Sequence, residues 1–217
     1  MKQPAKPAAE LQLKPMEDVS SFILAGGESS RMGTDKAFLA MAGQTLLERA
    51  ILLARSVTAE ARIVGQAARF PGFPGVVEDV YAGQGPLAGI HAALSQTSTA
   101  LNLILAVDLP LVRGNFLSYL IREARLSGAT VTVPRTAQGW QPLCAVYRRD
   151  FGRIAEPALQ AGKNRIDSLF AGTQIRAVER EELERIGLSE SMFRNLNTPE
   201  EFAHAERIVA AGTSSMI

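Results

Sequence analysis

Apolar residues occur along the chain in two patterns, short continuous runs and longer stretches with helical spacing. The short runs predict strands, at 19–24, 61–64, 75–77, 101–107, 129–133, 142–147 and 174–178. The stretches with helical spacing predict helices, at 44–56, 86–96, 114–126, 151–161, 165–171 and 198–210. Strands that alternate with helices are typical of an α/β fold with a mainly parallel sheet.

The run 101–107 is apolar at almost every position, which is typical of a central strand buried on both faces. The chain contains no internal repeat, so we predict a single domain at 19–217. Residues 1–18 carry three lysines and three prolines and lack the apolar segment of a secretory signal. We therefore expect these residues to form a flexible leader.

Composition excludes several classes of protein. The formal net charge is +1, which does not favour nucleic-acid binding, and no apolar run approaches the roughly 20 residues that span a bilayer. One cysteine, Cys144, and two histidines cannot form a disulfide framework or a Cys/His zinc site within the chain. We expect a cytoplasmic protein without a nucleic-acid or membrane partner.

The loop after the first strand, Leu24–Lys36, has the composition of an anion site. Gly26 and Gly27 allow a tight turn that brings backbone N–H groups close to phosphate oxygens. Arg31 and Lys36 add positive charge in the same loop. These features predict that the loop binds the triphosphate of a nucleotide.

Two better-known phosphate motifs do not fit this loop. A Walker A motif needs GxxxxGK[ST], whereas Lys36 stands three residues after Gly33 and is followed by Ala37. The dinucleotide motif GxGxxG is also missing, which disfavours an NAD-dependent oxidoreductase.

Three further polar positions are candidates for the same site. Asp108 follows the buried run 101–107, where it would be either a ligand of Mg²⁺ or a turn residue before Pro110. Asp79 ends another predicted strand, where it would either bind the nucleoside or remain a surface acid. Asn197 would present an amide oxygen to the metal or belong to a turn before the last helix.

Four sequence blocks occur together and in order: LAGGxxxRMGxDK at 24–36, GPLAGI at 85–90, DLP at 108–110 and NxNTPE at 195–200. In this combination the chain resembles the molybdenum cofactor guanylyltransferases. The resemblance implies transfer of GMP from GTP to molybdopterin or its molybdenum complex, with release of pyrophosphate and a requirement for Mg²⁺. It also implies a Rossmann-like three-layer αβα sandwich of the nucleotide-diphospho-sugar transferase type, with a mixed, mainly parallel sheet.

The resemblance also implies roles for individual residues. The expected GTP-binding residues are Leu24, Ala25, Gly26, Gly27, Lys36, Asp79, Gly85, Pro86, Leu87 and Asp108. The expected metal ligands are Asp108 and Asn197, and the expected acceptor-binding residues are Arg165 and Asn195. Because the acceptor phosphate is already an oxyanion, we assign catalysis to positioning and charge neutralisation, by Arg31, Lys36 and a Mg²⁺ ion held on Asp108.

Three alternatives remain open at this point: a cytidylyltransferase, a nucleotidyltransferase with another phosphate acceptor, and a non-catalytic nucleotide-binding protein. Relatives that transfer CMP tend to read Leu-Ala-Ala-Gly in the first loop, so Gly26-Gly27 favours guanine. The family also implies transient contact with other cofactor-biosynthesis proteins and with factors that deliver cofactor to molybdoenzymes.

Several residues are interpreted without a functional role. We predict that Cys144 is a buried apolar residue and that His204 lies at the surface. Trp140 is expected to pack in the core, with stacking on the acceptor as the alternative. His91 is expected to be a partly exposed helix residue, with an approach to the nucleotide as the alternative. The charged run 179–185 is expected to be a solvated helical face.

Overall fold

The computed structural model describes residues 16–26, 35–196 and 198–214. Nine strands are formed by these residues: β1 (Met16–Leu24), β2 (Ala40–Met41), β3 (Gln44–Thr45), β4 (Thr58–Val64), β5 (Leu101–Ala106), β6 (Val131–Thr136), β7 (Gly139–Trp140), β8 (Cys144–Arg148) and β9 (Ile175–Val178). The α-helices among the described residues are α1 (Leu46–Arg55), α2 (Pro86–Ser95), α3 (Gly114–Ser127), α4 (Phe151–Gln160), α5 (Arg180–Arg185) and α6 (Pro199–Ser214).

Seven of the strands form one mixed sheet in the order β4-β1-β5-β8-β6, with β7 and β9 both pairing with β6. Strand β1 runs parallel to β4 and β5, and β9 runs parallel to β6. Strand β8 is antiparallel to both of its neighbours, β5 and β6. The prediction of a mainly parallel α/β fold is therefore confirmed, with β8 as the antiparallel central strand.

Helices cover both faces of this sheet because its strands send apolar side chains alternately to either side. Ile23 and Leu105 belong to a core cluster with apolar residues of α1 and α3. Phe22 and Ile104 belong to a second cluster with residues of α2 and α4. The arrangement is the expected three-layer sandwich, and it explains why β5 is buried along its whole length.

Local sequence explains where α1 begins. The hydroxyl of Thr45 accepts a hydrogen bond from the Glu48 backbone N–H at 3.1 Å, and the Glu48 carboxylate accepts one from the Thr45 N–H at 2.8 Å. Such a capping box satisfies two backbone donors that a helix start leaves without partners. The helix therefore starts two residues later than its predicted range.

Several predicted elements differ from the structure in their bounds or type. Strand β1 begins at Met16, three residues earlier than predicted, and residues 1–15 lie outside the described part of the chain. The predicted strand 75–77 is reduced to a single bridge between Val77 and Val64, because the preceding segment is a Gly/Pro-rich turn. The predicted helix 165–171 is a 3₁₀ helix at Asp167–Gly172.

None of the helices in the described residues is both long enough and apolar enough to cross a membrane.

Candidate active site

The site lies where β1 and β5 end side by side. The backbone N–H of Val107 donates to the carbonyl of Leu24 at 3.1 Å, and the N–H of Ala25 donates to the carbonyl of Val64 at 3.0 Å. The chain from Leu24 to Gly26 is thereby fixed between the ends of β4 and β5. In open α/β sheets this edge is where ligands bind.

Lys36 is held at this edge by a short turn. It begins a 3₁₀ helix, Lys36–Phe38, which is capped when Oδ1 of Asp35 accepts a hydrogen bond from the Ala37 N–H at 3.1 Å. Nζ of Lys36 donates to Oδ2 of Asp108 at 3.4 Å, and both side chains are about four-fifths buried (18% and 20% exposed). The structure thus brings together two residues that the sequence placed in separate motifs.

The segment before α6 passes directly beside Asp108. The backbone N–H of Leu196 donates to the carbonyl of Asp108 at 3.3 Å, so the neighbouring exposed residue Asn195 lies close to the same site. Asn197, the second expected metal ligand, lies outside the described residues.

The donors at this edge fit a magnesium ion that is held mainly by its substrate. No group of three or more His, Cys, Asp or Glu residues that could hold a metal occurs within the described ranges. The carboxylate of Asp108 stands at the end of β5, in contact with Lys36. Mg²⁺ is commonly bound by one or two carboxylates together with substrate phosphates and water, and the Asp108 carboxylate is compatible with such an ion.

Asp79 lies against α2 near the end of β1. A Cβ atom built on Gly89 would be 3.3 Å from Cδ2 of Leu24, 3.4 Å from Cγ1 of Val64 and 3.7 Å from Oδ1 of Asp79. Glycine at this position therefore lets α2 approach the ends of β1 and β4, with the Asp79 carboxylate beside them.

The Asp79 carboxylate is poorly solvated. Its Oδ1 atom is buried and has no hydrogen-bond partner among the described residues. Burial raises the pKa of the Asp79 carboxyl, and nearby His91 opposes part of that rise. A buried acceptor without a partner is suited to receive a donor from a ligand.

The block GPLAGI forms the start of α2. Gly85 caps the helix with φ 70° and ψ −161°, a backbone conformation that is essentially restricted to glycine. Pro86 occupies the first turn, and Leu87 is buried. These three residues, expected to contact GTP, lead the chain from the Asp79 segment into the helix that packs on β1.

Sequence analysis missed one residue near the site, Arg69. Its Nε atom donates to Oδ2 of Asp35 at 3.1 Å, and its Nη2 atom contacts the same oxygen. Arg69 belongs to no recognisable motif and reaches Asp35 across 34 positions of chain. Only the folded chain shows this pair.

The remaining predicted site residues either lie outside the described part of the chain or make contacts that do not test their role. Gly27 and Arg31 lie outside the described residues. Arg165 is exposed, and its guanidinium pairs with the carboxylate of Asp167 on the connection between α4 and β9. Its role toward the acceptor stays a prediction.

One interpretation of a polar residue was wrong, and a second was wrong at one position. His91 is 7% exposed rather than partly exposed, because Tyr81 packs edge-on against its ring with centroids 5.3 Å apart. Most charged residues of the run 179–185 are exposed as predicted, but Glu182 is largely buried. Arg176 donates to both of its oxygens, at 3.0 Å to Oε1. Burial by a neighbouring segment explains both differences.

Three interpretations of other side chains are confirmed. Cys144 is fully buried, and burial raises the pKa of its thiol far above the usual range. Trp140 is half-buried and packs edge-on against Phe170, with ring centroids 5.4 Å apart. His204 is exposed on α6.

Comparison with known proteins gives consistent matches. A family model described as MobA-like NTP transferase domain matches residues 21–178. A probable molybdenum cofactor guanylyltransferase of Pelotomaculum thermopropionicum is 35% identical over 197 residues, which cover 90% of this chain and 95% of the relative. The molybdenum cofactor guanylyltransferase of Desulfosudis oleivorans is 32% identical, with coverage of 92% and 100%.

Solved structures share the fold. Molybdopterin-guanine dinucleotide biosynthesis protein A of Archaeoglobus fulgidus superimposes with a TM-score of 0.75 at 24% identity, covering 88% of this chain and 99% of that one. The 2-C-methyl-D-erythritol 4-phosphate cytidylyltransferase of Thermus thermophilus superimposes with a TM-score of 0.67 at 22% identity, covering 89% and 98%. At these identities the likeness concerns the fold alone.

Proposed function

The chain belongs to the family of MobA-like NTP transferases, enzymes of molybdenum cofactor biosynthesis, and we propose that it transfers GMP from GTP to molybdopterin. The observation that carries the proposal is the contact between Lys36 and Asp108 at the end of β1 and β5. A cation and a carboxylate at one sheet edge suit a nucleotide triphosphate with its metal ion.

In the proposed reaction a phosphate oxygen of molybdopterin attacks the α-phosphorus of GTP. The new P–O bond forms as the bond between the α-phosphorus and its bridging oxygen breaks, and the electron pair leaves with pyrophosphate. The attacking phosphate oxygen is already ionised at neutral pH, so the reaction needs no strong general base. The work left to the protein is to align the two phosphates and to neutralise their charge.

Lys36 supplies positive charge toward the phosphates from its fixed position on the capped turn. Asp108, with Asn197 as the second expected ligand, would hold Mg²⁺, which neutralises phosphate charge and orients the triphosphate when bound. Arg31 is proposed to add a further cation from the same loop.

Asp79 is proposed to select the base. Guanine presents two neighbouring donors, N1–H and the N2 amino group, to a single carboxylate, whereas adenine and cytosine each present one amino donor beside an acceptor. The buried Oδ1 of Asp79, which has no partner in the described structure, would gain one on binding guanine. This chemistry supports GTP over CTP.

The acceptor side of the proposal rests on Asn195, beside Asp108, and on the exposed guanidinium of Arg165. We expect them to contact the pterin phosphate. The family further suggests a cytoplasmic enzyme that meets cofactor-biosynthesis proteins and delivery factors only transiently.

A panel of nucleotides tests the proposal. Calorimetry with GTP, CTP, ATP and UTP, each with Mg²⁺, is expected to show preferential binding of GTP. When molybdopterin is added in the presence of GTP and Mg²⁺, we expect pyrophosphate to be released. Chelation of the metal is expected to stop this release. A preference for CTP would make the protein a cytidylyltransferase, and GTP binding without pyrophosphate release would make it a non-catalytic nucleotide-binding protein.

A further inference from the structure

The short turn that carries Lys36 is held on both sides by two consecutive residues, Arg69 and Phe70. On one side, Arg69 donates to Oδ2 of Asp35, the residue that caps the turn. On the other side, the ring of Phe38 packs against the ring of Phe70, with centroids 5.7 Å apart. Lys36 lies between these two attachments.

The segment that provides both attachments is itself fixed in place. Phe70 is 1% exposed, and a Cβ atom on Gly65 would lie 3.0 Å from its ring and 3.4 Å from the backbone nitrogen of Gly26. The N–H of Ala67 donates to Oε1 of Glu78 at 2.7 Å. The segment 65–70 is therefore a firm support that touches the end of β1 as well as the Lys36 turn.

The contact between Arg69 and Asp35 has the geometry of a positioning contact. Two nitrogens of the Arg69 guanidinium, Nε and Nη2, donate to Oδ2 of Asp35. The other carboxylate oxygen, Oδ1, caps the turn. Both side chains are about three-quarters buried, and the guanidinium also lies over the Phe70 ring at 5.5 Å. A planar guanidinium fixes the direction of its partner in a way that a lysine ammonium does not.

We propose that Arg69 is a positioning residue of the transferase: it fixes Asp35, and through Asp35 the turn that aims Lys36 at Asp108. The proposal rests on the proposed role of Lys36 toward the phosphates. Two other roles are conceivable in chemical terms, direct binding of substrate by Arg69 and a contribution to stability alone. Each gives a different result in the following experiments.

Kinetics of Arg69→Ala, Lys36→Ala and the double variant separate these roles. Because displacement of a charge by about 1 Å can cost up to 10²-fold in rate, we expect Arg69→Ala to lower kcat/KM roughly 10- to 100-fold. In the Lys36→Ala background the same change should cost less than about 3-fold, since the group that it positions is gone. An equal loss in both backgrounds would show that Arg69 acts directly on substrate and would overturn the proposal.

Matched variants define the specificity of the effect. Arg69→Lys is expected to recover only part of the activity, since it keeps the charge without the planar fork. Arg153→Ala removes an exposed arginine that pairs with Asp150 on α4, and it should leave kcat/KM unchanged. Wild-type kinetics of Arg69→Ala would also overturn the proposal.

A chemical measurement tests the position of Lys36 without relying on catalysis. Brief labelling of the intact protein with acetic anhydride, followed by peptide mass spectrometry, reports the reactivity of each lysine. In Arg69→Ala we expect the labelling rate of Lys36 to change several-fold, with exposed Lys163 unchanged as the internal control. An unchanged Lys36 would overturn the positioning role.

The kinetic and labelling measurements distinguish failure of the proposed role of Lys36 from failure of the positioning role of Arg69. If Lys36→Ala leaves activity intact, the proposed role of Lys36 fails, while the labelling result still decides whether Arg69 positions it. Asp35→Asn offers a second way to break the pair, because its amide oxygen can still cap the turn. If neither Arg69→Ala nor Asp35→Asn folds, as judged by thermal melting, the pair is structural and the proposal is overturned.

Discussion

The ammonium nitrogen of Lys36 lies 3.4 Å from Oδ2 of Asp108, a carboxylate 72 positions further along the chain. The two side chains come from different motifs: Lys36 lies on the 3₁₀ turn that follows the first loop, and Asp108 follows the end of β5. Both are about four-fifths buried, so their charges are less screened than those of a surface pair.

Asp108→Asn keeps the shape of the side chain and removes its charge. We expect kcat to fall on the order of 10²–10³-fold, the size of effect found when one charge-stabilising group of an active site is removed. Lys36→Ala should reduce kcat/KM by a similar factor, whereas Lys163→Ala, which changes an exposed lysine, should not. Pyrophosphate release at varied GTP measures both. Normal turnover of metal-replete Asp108→Asn would remove that residue from catalysis.

Asp79→Asn should separate stability from binding. Burial raises the pKa of Asp79 in the folded protein above its unfolded value. The protonated carboxyl group therefore favours the folded state, and this contribution to stability is fully present below the unfolded pKa. That stability is lost as the pH rises through the folded pKa. At pH 7 the neutral asparagine variant should therefore melt at or above the wild-type temperature, while its affinity for GTP falls roughly 10- to 100-fold with the lost charged hydrogen bond.

The same residue predicts how GTP binding depends on pH. In the proposed site the ionised carboxylate accepts hydrogen bonds from guanine, so wild-type affinity should weaken as the pH falls through the raised pKa of Asp79. Calorimetry between pH 4 and pH 7 would measure this, with Asp79→Asn as the control that lacks the titration. Parallel pH profiles of the two proteins would contradict the assignment of Asp79 to the base.

Gly85→Ala tests the backbone at the start of α2. A Cβ atom there meets nothing within 4 Å, so the cost comes from the backbone conformation alone. We expect a loss of about 1–3 kcal/mol in the free energy of unfolding, together with weaker GTP binding. Gly128→Ala, at the left-handed C-cap of α3, should lower stability but leave GTP affinity unchanged. Equal effects of both variants on binding would contradict a role for Gly85 at the site.

Glu182→Gln tests an ion-pair network away from the site. Hydrogen bonds from Arg176 lower the pKa of Glu182 to about 2, below its ordinary value of 4.5, and the Tyr119 hydroxyl donates to the same carboxylate at 3.0 Å. A lowered folded pKa contributes stability above the unfolded pKa that is lost as the pH falls from about 4.5 to 2. We expect the variant to lose about 1–2 kcal/mol at pH 7 and less at pH 3, measured by urea unfolding. A constant difference would contradict the linkage.

Much of the fold could be predicted because its main helices and strands have clear patterns of apolar residues, glycine and proline in the local sequence. Strand β5 is a long apolar run, and α2 begins at a proline after a glycine. The two-residue strands β2, β3 and β7 carry no periodicity, so the sequence offers no signal for them. The antiparallel direction of β8 depends on a long-range pairing that local pattern does not encode.

Residues of the candidate site could be predicted where a charged residue directly follows a strand or belongs to a glycine-rich loop. Lys36 and Asp108 meet those conditions, and the structure brings them together. Arg69 does not, because its contact at the site is with Asp35, 34 positions away along the chain. His91 and Glu182 were misjudged for the same reason: helical spacing tells which face a residue occupies, but not which other segment covers that face.

Strand β8 pairs with β5 on one side and β6 on the other, although β6 precedes it in the chain. During synthesis from the N-terminus, the edge of β5 therefore has no partner on that side until Cys144–Arg148 leave the ribosome. An unpaired apolar edge is a template for aggregation, and late pairing over long chain distances slows folding. Chains released before Cys144 should consequently be insoluble or depend on chaperones, and the transferase should acquire its site only after its last central strand has been made.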